Sequence, residues 1–353
     1  MDATGSLPRS DCPDGRLGLI EDEKELRVVE LVTGKRQTTV PLPLQTGPDL
    51  RTAWDAKLSD NGLSIWALGH SFSDRYESVG RELRIWKRPN GAMVHSAHWD
   101  QSAQLAVSGD AEVYFVATSQ KIDRIQTQSG TVLNTFAVPP DAGKSDGKAV
   151  PPRILADPHG RRLVIATESG PYVLDTATGA IITRFGGGDS PTKIWLPDSV
   201  FSPDGQSVLF RRGRELLLGN TNNGTLRVLR GHLGGISAMS FSSDGRQIVS
   251  AGADKTVRIW DAATGTQQLV LPTDELVRHL AFVDGGQNVM AVQENGVARL
   301  LPTNHRSYLF HACRVLRDRY RVIRKNPYDV RRCSAVENLH LVQALPVRLP
   351  TAA

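Results

Sequence analysis

Three side chains of the kind that form a hydrolase centre lie close together in this sequence: His232, Ser250 and Asp254. A histidine set between a hydroxyl and a carboxylate can take the serine proton and be steadied as imidazolium. That chemistry also needs an exposed nucleophile and donors for an oxyanion. Other reactive residues occur in patterns that lack a partner. Gly143-Lys144-Ser145 has the ending of a phosphate-binding loop, but the glycine required five positions earlier is Val138, amid proline-rich sequence. Cys12, Cys313 and Cys333 have neither metal-ligand spacing nor a disulfide framework. No G-x-S-x-G, H-E-x-x-H or paired-cysteine motif occurs. The expectation is no catalytic residue, no metal and no cofactor, hence not an enzyme.

The elements that must position the His/Ser/Asp set are strands. Residues 231–265 alternate apolar and polar positions in ISAMSF and RQIVSA, with breaks at Asp244-Gly245, Ala253-Asp254-Lys255 and Thr264-Gly265. The tail of this unit, VRIWDAATG at 257–265, has echoes at 26–34, 83–91, 122–130, 171–179, 216–224 and 297–305. A turn pair precedes most of them: Asp14-Gly15, Asn61-Gly62, His159-Gly160, Asp204-Gly205, Asp244-Gly245 and Gly285-Gly286, with Ser102-Ala103 as a degenerate counterpart in the third unit. The units close 39 to 57 residues apart, around the ~40–45 residues of a four-stranded propeller blade. One such sheet cannot bury its own faces, so the units must stack and the ring must close. The fold expected is an all-β, seven-bladed propeller of four-stranded antiparallel blades.

Gly231-His232 at the start of the regular unit and Trp260-Asp261 at its end, with Ser250 and Asp254 between, resemble a complete repeat of the WD-repeat β-propeller family. The resemblance implies that His232, Ser250, Asp254 and Trp260 form a hydrogen-bonded chain inside one blade, a structural network rather than a triad. It covers roughly residues 10–305, strongly at 231–265 and by degenerate echoes elsewhere. Trp86 repeats the tryptophan position without the other members and is expected to pack only. The family implies a rigid, non-catalytic scaffold for protein–protein interaction.

Charge divides the chain. It carries +5 over 353 residues, while residues 306–332 alone hold nine Lys or Arg against two Asp. The expected domains are a propeller over 1–305 and a basic C-terminal extension over 306–353. Within the extension, Leu309, Ala312, Cys313 and Leu316 predict an amphipathic helix at about 307–320, and 339–349 reads as a strand closing the last blade. Arg314, Arg317, Arg319, Arg321, Arg324 and Lys325 then form a solvated face laid on the propeller; the alternative is a nucleic-acid contact of a regulatory factor. No apolar run reaches transmembrane length and the N-terminus lacks a signal pattern, which gives a cytoplasmic, monomeric protein without a membrane partner as the expectation.

In a propeller blade with strands a to d, the d–a and b–c connections share one face of the disc. The insertions at 70–82, 139–152 and 186–191 all fall there, and elaborated loops mark binding faces. Trp54, His95, Trp195 and Arg278, placed at the first positions of strand a on that rim, are the partner-binding candidates, since Trp and Arg dominate binding energy on polar surfaces. The competing reading has the two Trp plugging the channel or packing between blades. A further rival, a propeller enzyme or small-ligand binder with a channel site, requires clustered Asp, Glu, His or Arg pointing inward.

Overall fold

The computed structural model describes residues 16–21, 25–30, 35–42, 50–73, 78–99, 103–145, 148–167, 170–186 and 195–303. Seven antiparallel sheets follow one another along the chain as the blades of a propeller. Blades 2 to 6 have four strands each, in sequence order. Blade 1 is described as its strands b, c and d (Leu17–Glu21, Glu25–Glu30, Arg36–Pro41), and blade 7 as a, b and c (Val277–Val283, Asn288–Gln293, Ala298–Pro302). The inner strands of blades 2 to 6 are Leu50–Leu58, Gln104–Val107, Ile154–Ala156, Trp195–Phe201 and Ile236–Phe241. The expected helix at 307–320, the strand at 339–349, and Arg314, Arg317, Arg319, Arg321, Arg324 and Lys325 lie outside the described residues.

One turn chemistry builds most a–b hairpins. Ser59, Ser108, Ser202 and Ser242 each donate through Oγ to Oδ1 of Asn61, Asp110, Asp204 or Asp244, at 2.6–2.7 Å. The same Oγ accepts the N–H of Ser64, Val113, Ser207 or Gln247 across the turn. The next residue must then take positive φ, supplied by Gly62, Gly205 and Gly245 at 67–70°. In blade 3 that place belongs to Ala111, at φ 60°. The third unit therefore turns at Asp110-Ala111, not at Ser102-Ala103. Ser108 and Asp110 hold an alanine where glycine would be easier, which hides the turn from a search for glycine.

The insertion in blade 2 is mostly strand. Ser64–Ser73 and Ser78–Lys87 pair from Ser64↔Lys87 out to Phe72↔Ser78, so the hairpin is lengthened instead of looped. In the connection between blades 3 and 4, Lys144–Ser145 and Lys148–Ala149 form a minor hairpin. Neighbouring blades are joined by shared apolar interfaces. Leu26, Val28 and Val40 of blade 1 pack with Ala56, Leu58, Ile65 and Trp86 of blade 2. Val249, Val257 and Ile259 of blade 6 pack with Phe282, Val289 and Leu301 of blade 7. Such burial, at about 25 cal/mol per Å², is the main force holding a ring of sheets together. Backbone bonds add to it on the a–b side: Asp60 N–H donates to Gly109 O and Asp110 N–H to Pro158 O, at 2.6 and 2.9 Å.

Candidate functional site

The His/Ser/Asp set sits in blade 6, at the end where the d–a and b–c connections lie (called the upper face below). His232 lies in the d–a connection, Ser250 on strand b (Gln247–Gly252), Asp254 in the b–c turn and Trp260 on strand c (Thr256–Asp261). Trp260 Nε1 can only donate, so its 2.9 Å bond makes Ser250 Oγ an acceptor. The Ser250 proton then goes to His232 Nε2, 2.9 Å away. His232 keeps its own proton on Nδ1 and gives it to Asp254 Oδ1 at 3.0 Å. The tautomer is assigned from this network. Leu233 N–H and Thr256 Oγ1 also donate to Asp254, each at 2.8 Å, and the Arg258 guanidinium stands 3.8 Å from it.

The electrostatics agree with that proton arrangement. Burial pushes the His232 imidazole below its ordinary value, against the pull of Asp254, so the ring is neutral. Burial alone would raise the Asp254 carboxyl, but the bonds from Leu233 N–H, His232 and Thr256 outweigh it and hold the group at about 2. Ser250 is wholly buried and Trp260 is 2% exposed. A serine with both Oγ partners occupied and no access to solvent has no means of attacking a substrate. Gly252 makes room for the ring: a Cβ there would lie 2.5 Å from His232 Nδ1. Thr256, Arg258 and Gly252 escape sequence reasoning because their roles depend on strand pairing, not on residue type.

The four rim candidates are dispersed over blades 2, 5 and 7. Trp54 is half-buried on the inner strand of blade 2, packed against the interface with blade 1, with the Arg84 guanidinium 5.7 Å from its ring centroid. His95 lies on the outer strand of blade 2, Ala92–Trp99, and not on strand a of blade 3, which begins at Gln104. The run after the closing Gly91 is strand d of the same blade, as it is after Gly265. His95 Nε2 bonds Tyr114 Oη at 2.9 Å across the blade junction. Burial lowers the His95 imidazole and raises the Tyr114 hydroxyl to about 12. Trp195 opens the inner strand of blade 5, paired with Arg211. Arg278, on the inner strand of blade 7, is exposed on the upper face and ion-paired with Glu294. Trp86 is 2% exposed within the core.

The channel opens as a cavity of about 260 Å³ on the opposite, a–b face, where the inner strands of blades 2 to 7 end. Leu58, Trp66, Leu155, Phe201, Met239 and Phe282 form the apolar part of a mixed wall, and its ionisable lining residues are Lys57 and Asp60. Among the described residues, no group of three or more His, Cys, Asp or Glu could hold a metal ion, and no helix is long and apolar enough to cross a membrane.

Comparison with known proteins agrees with this geometry. The family profile described as WD40: WD domain, G-beta repeat matches residues 223–261. The chain is 38% identical over 66 residues to the Intraflagellar transport protein 122 homolog of Homo sapiens, covering 18% of this chain and 5% of that protein. It is 31% identical over 113 residues to the Periodic tryptophan protein 2 homolog of Schizosaccharomyces pombe, covering 30% and 13%. With WD repeat-containing protein 1 of Xenopus tropicalis the identity is 35% over 115 residues, covering 30% and 19%. The matched segments span no more than 19% of these relatives' length. Among solved structures, the C-terminal WD40 domain of Sif2 is similar at a TM-score of 0.57 and 15% identity, covering 86% of this chain and 83% of that one. Ring architecture and sheet order define a β-propeller. Blade 6, with its complete repeat and its polar chain in place, is the part of this propeller that is similar to the WD40 repeat.

Proposed function

We propose that this chain is a non-catalytic protein–protein interaction scaffold that presents its upper face to a protein partner. The observation that carries the reading is the closed polar chain of blade 6. The residues best typed for catalysis are consumed in holding one turn. The upper-face connections also vary most in length, whereas the a–b turns repeat one compact design. Arg278 remains the candidate contact of choice, because Trp54 and His95 spend surface on blade packing.

The test compares the two faces. Lys255→Glu with Arg278→Glu reverses exposed charges on the upper face; Arg161→Glu with Arg246→Glu does so on the a–b turns. Affinity capture followed by mass spectrometry should lose its specific partner with the first pair and keep it with the second. The opposite pattern would overturn the face assignment, and equal retention by both would overturn a charged contact on either.

A further inference from the structure

Resting on that scaffold reading, we propose that the junction of blades 5 and 6 on the upper face docks an acidic segment of the partner, which sets an apolar side chain on Leu233 and carboxylates on Arg214 and Arg230. Two connections meet there. The b–c turn of blade 5 runs from Arg212 to Glu215, between strands Ser207–Arg212 and Glu215–Asn220, and turns at Gly213 with φ 59°. The d–a connection into blade 6, between Leu226–Leu229 and Ile236–Phe241, carries Arg230 and Leu233. Hydrogen bonds lock the two together: Ile236 N–H donates to Gly213 O at 2.9 Å, and Arg211 Nη1 donates to Ile236 O at 3.0 Å. On its other side the connection is tied to the b–c turn of blade 6. Leu233 N–H donates to Asp254 Oδ2 and Ala253 N–H to Gly235 O, each at 2.8 Å.

The loop is thus fixed while its leucine points at solvent. Leu233 is 80% exposed, the most of any large hydrophobic side chain among the described residues. One exposed leucine is ordinary on a protein surface; the cationic flank sets this one apart. Arg212 Nη2 and Arg230 Nε each take one oxygen of the Glu215 carboxylate, at 2.7 and 2.8 Å. Those bonds, Arg212 first, hold the Glu215 carboxyl below its usual range, so it stays ionised. One carboxylate therefore serves two guanidinium groups, and Arg214 is exposed with no partner among the described residues. Three cations against one anion leave a surplus of positive charge beside Leu233. The Arg230 side chain is 75% exposed and anchored through Nε, which leaves both Nη groups for a second carboxylate. A guanidinium already held in place loses little freedom on binding, and its fork matches two carboxylate oxygens. The complement of such a surface is an apolar residue bracketed by Asp or Glu. A nucleic-acid backbone fits less well, because Glu215 opposes its dense charge and Leu233 stays uncovered.

The test needs no knowledge of the partner. Fluorescence anisotropy of the full chain is measured with a fluorescein-labelled Asp-Glu-Leu-Asp-Glu peptide, its amide counterpart Asn-Gln-Leu-Asn-Gln, and Asp-Glu-Gly-Asp-Glu. The first should bind, and each of the others should bind about tenfold more weakly or worse. Arg214→Gln and Arg230→Gln should each weaken the first about tenfold, the effect of losing a hydrogen bond to a charged group. Leu233→Ser should do the same through lost apolar burial, and should not weaken the Gly peptide further. Arg161→Gln with Arg246→Gln, exposed on the opposite face, should leave binding unchanged. Leu233, Arg214 and Arg230 are all exposed, so their variants should keep the parent's thermal midpoint. Equal binding of the amide or the Gly peptide, or an equal loss from the Arg161/Arg246 change, would overturn the site. Displacement by short oligothymidylate at equal charge concentration would overturn the assignment to a protein segment. Failure of the peptide test while partner capture still depends on the upper face would reject this junction and leave the scaffold reading. Intact peptide binding while capture depends on the a–b face would reject the face assignment and leave the junction.

Discussion

Blades 6 and 7 share a strand layout and an apolar interface, yet they settle the polar groups at their upper ends in different ways. The pairing of Val277 with Gln293 matches that of Ile236 with Gly252. This register sets Thr273, Ala291, Asn295 and Leu301 of blade 7 in the places of His232, Ser250, Asp254 and Trp260. Blade 6 needs Gly252 because the imidazole occupies the space of a side chain there. Blade 7 has Thr273 where blade 6 has that imidazole, and Gln293 stands at the glycine position, 1% exposed. Its amide N and O find no partner among the described residues, and neither does Arg299 Nε nearby. Arg299 instead pairs with Asp274. The difference teaches that the histidine and the glycine are one device: without the ring the backbone constraint lifts, and the substitute is less well satisfied.

The comparison can be pressed by mutation. The largest effect belongs to His232→Ala, which removes the hydrogen bonds to Asp254 and Ser250 together and should cost about 3 kcal/mol in urea unfolding. Thr273→Ala, the matched change in blade 7, removes one 2.9 Å bond to Glu275 O and should cost about 1 kcal/mol. Equal costs would dissolve the distinction between the blades. Next comes Gly252→Ala, whose Cβ collides with His232; a loss of about 1–3 kcal/mol is expected. That loss should shrink when His232 is already alanine, and an undiminished penalty would mean that the glycine serves some other purpose.

Acid probes the same device more gently. His70, His95 and His232 all have values lowered by burial from 6.5. The unfolded chain takes up these protons first, so the stability from neutral rings is full above pH 6.5 and is lost as pH falls below it. The thermal midpoint should therefore drop between neutral and mildly acidic pH, with a flatter slope in His232→Ala. A midpoint that rises on acidification would contradict the neutral-ring assignment. The smallest effect has the opposite sign. Gln293→Met replaces an unpartnered amide with an apolar chain of similar length, and should be neutral or stabilising by up to about 1 kcal/mol. A clear destabilisation would show that Gln293 is satisfied after all.

The sequence makes the repeat legible wherever geometry demands a residue type. Gly91, Gly130, Gly179, Gly224 and Gly265 close successive c–d turns at φ 68–76°, and few side chains tolerate that region. Where a neighbour relieves the demand, the signal fades, as Ser108 and Asp110 do for Ala111. His95 is misplaced by one strand because alternation marks a strand without saying which one it is. Blade 6 is legible in full because its chain uses four residues of distinctive type in one short stretch.

The central claim is that His232, Ser250, Asp254 and Trp260 act as one structural chain. A double-mutant cycle on Ser250→Ala and Trp260→Phe, read as unfolding free energy, tests it most directly. Linked side chains should couple by about 1 kcal/mol or more, because either single change already breaks the bond the other would remove. Strictly additive costs, or a Ser250→Ala variant as stable as the parent, would contradict the account.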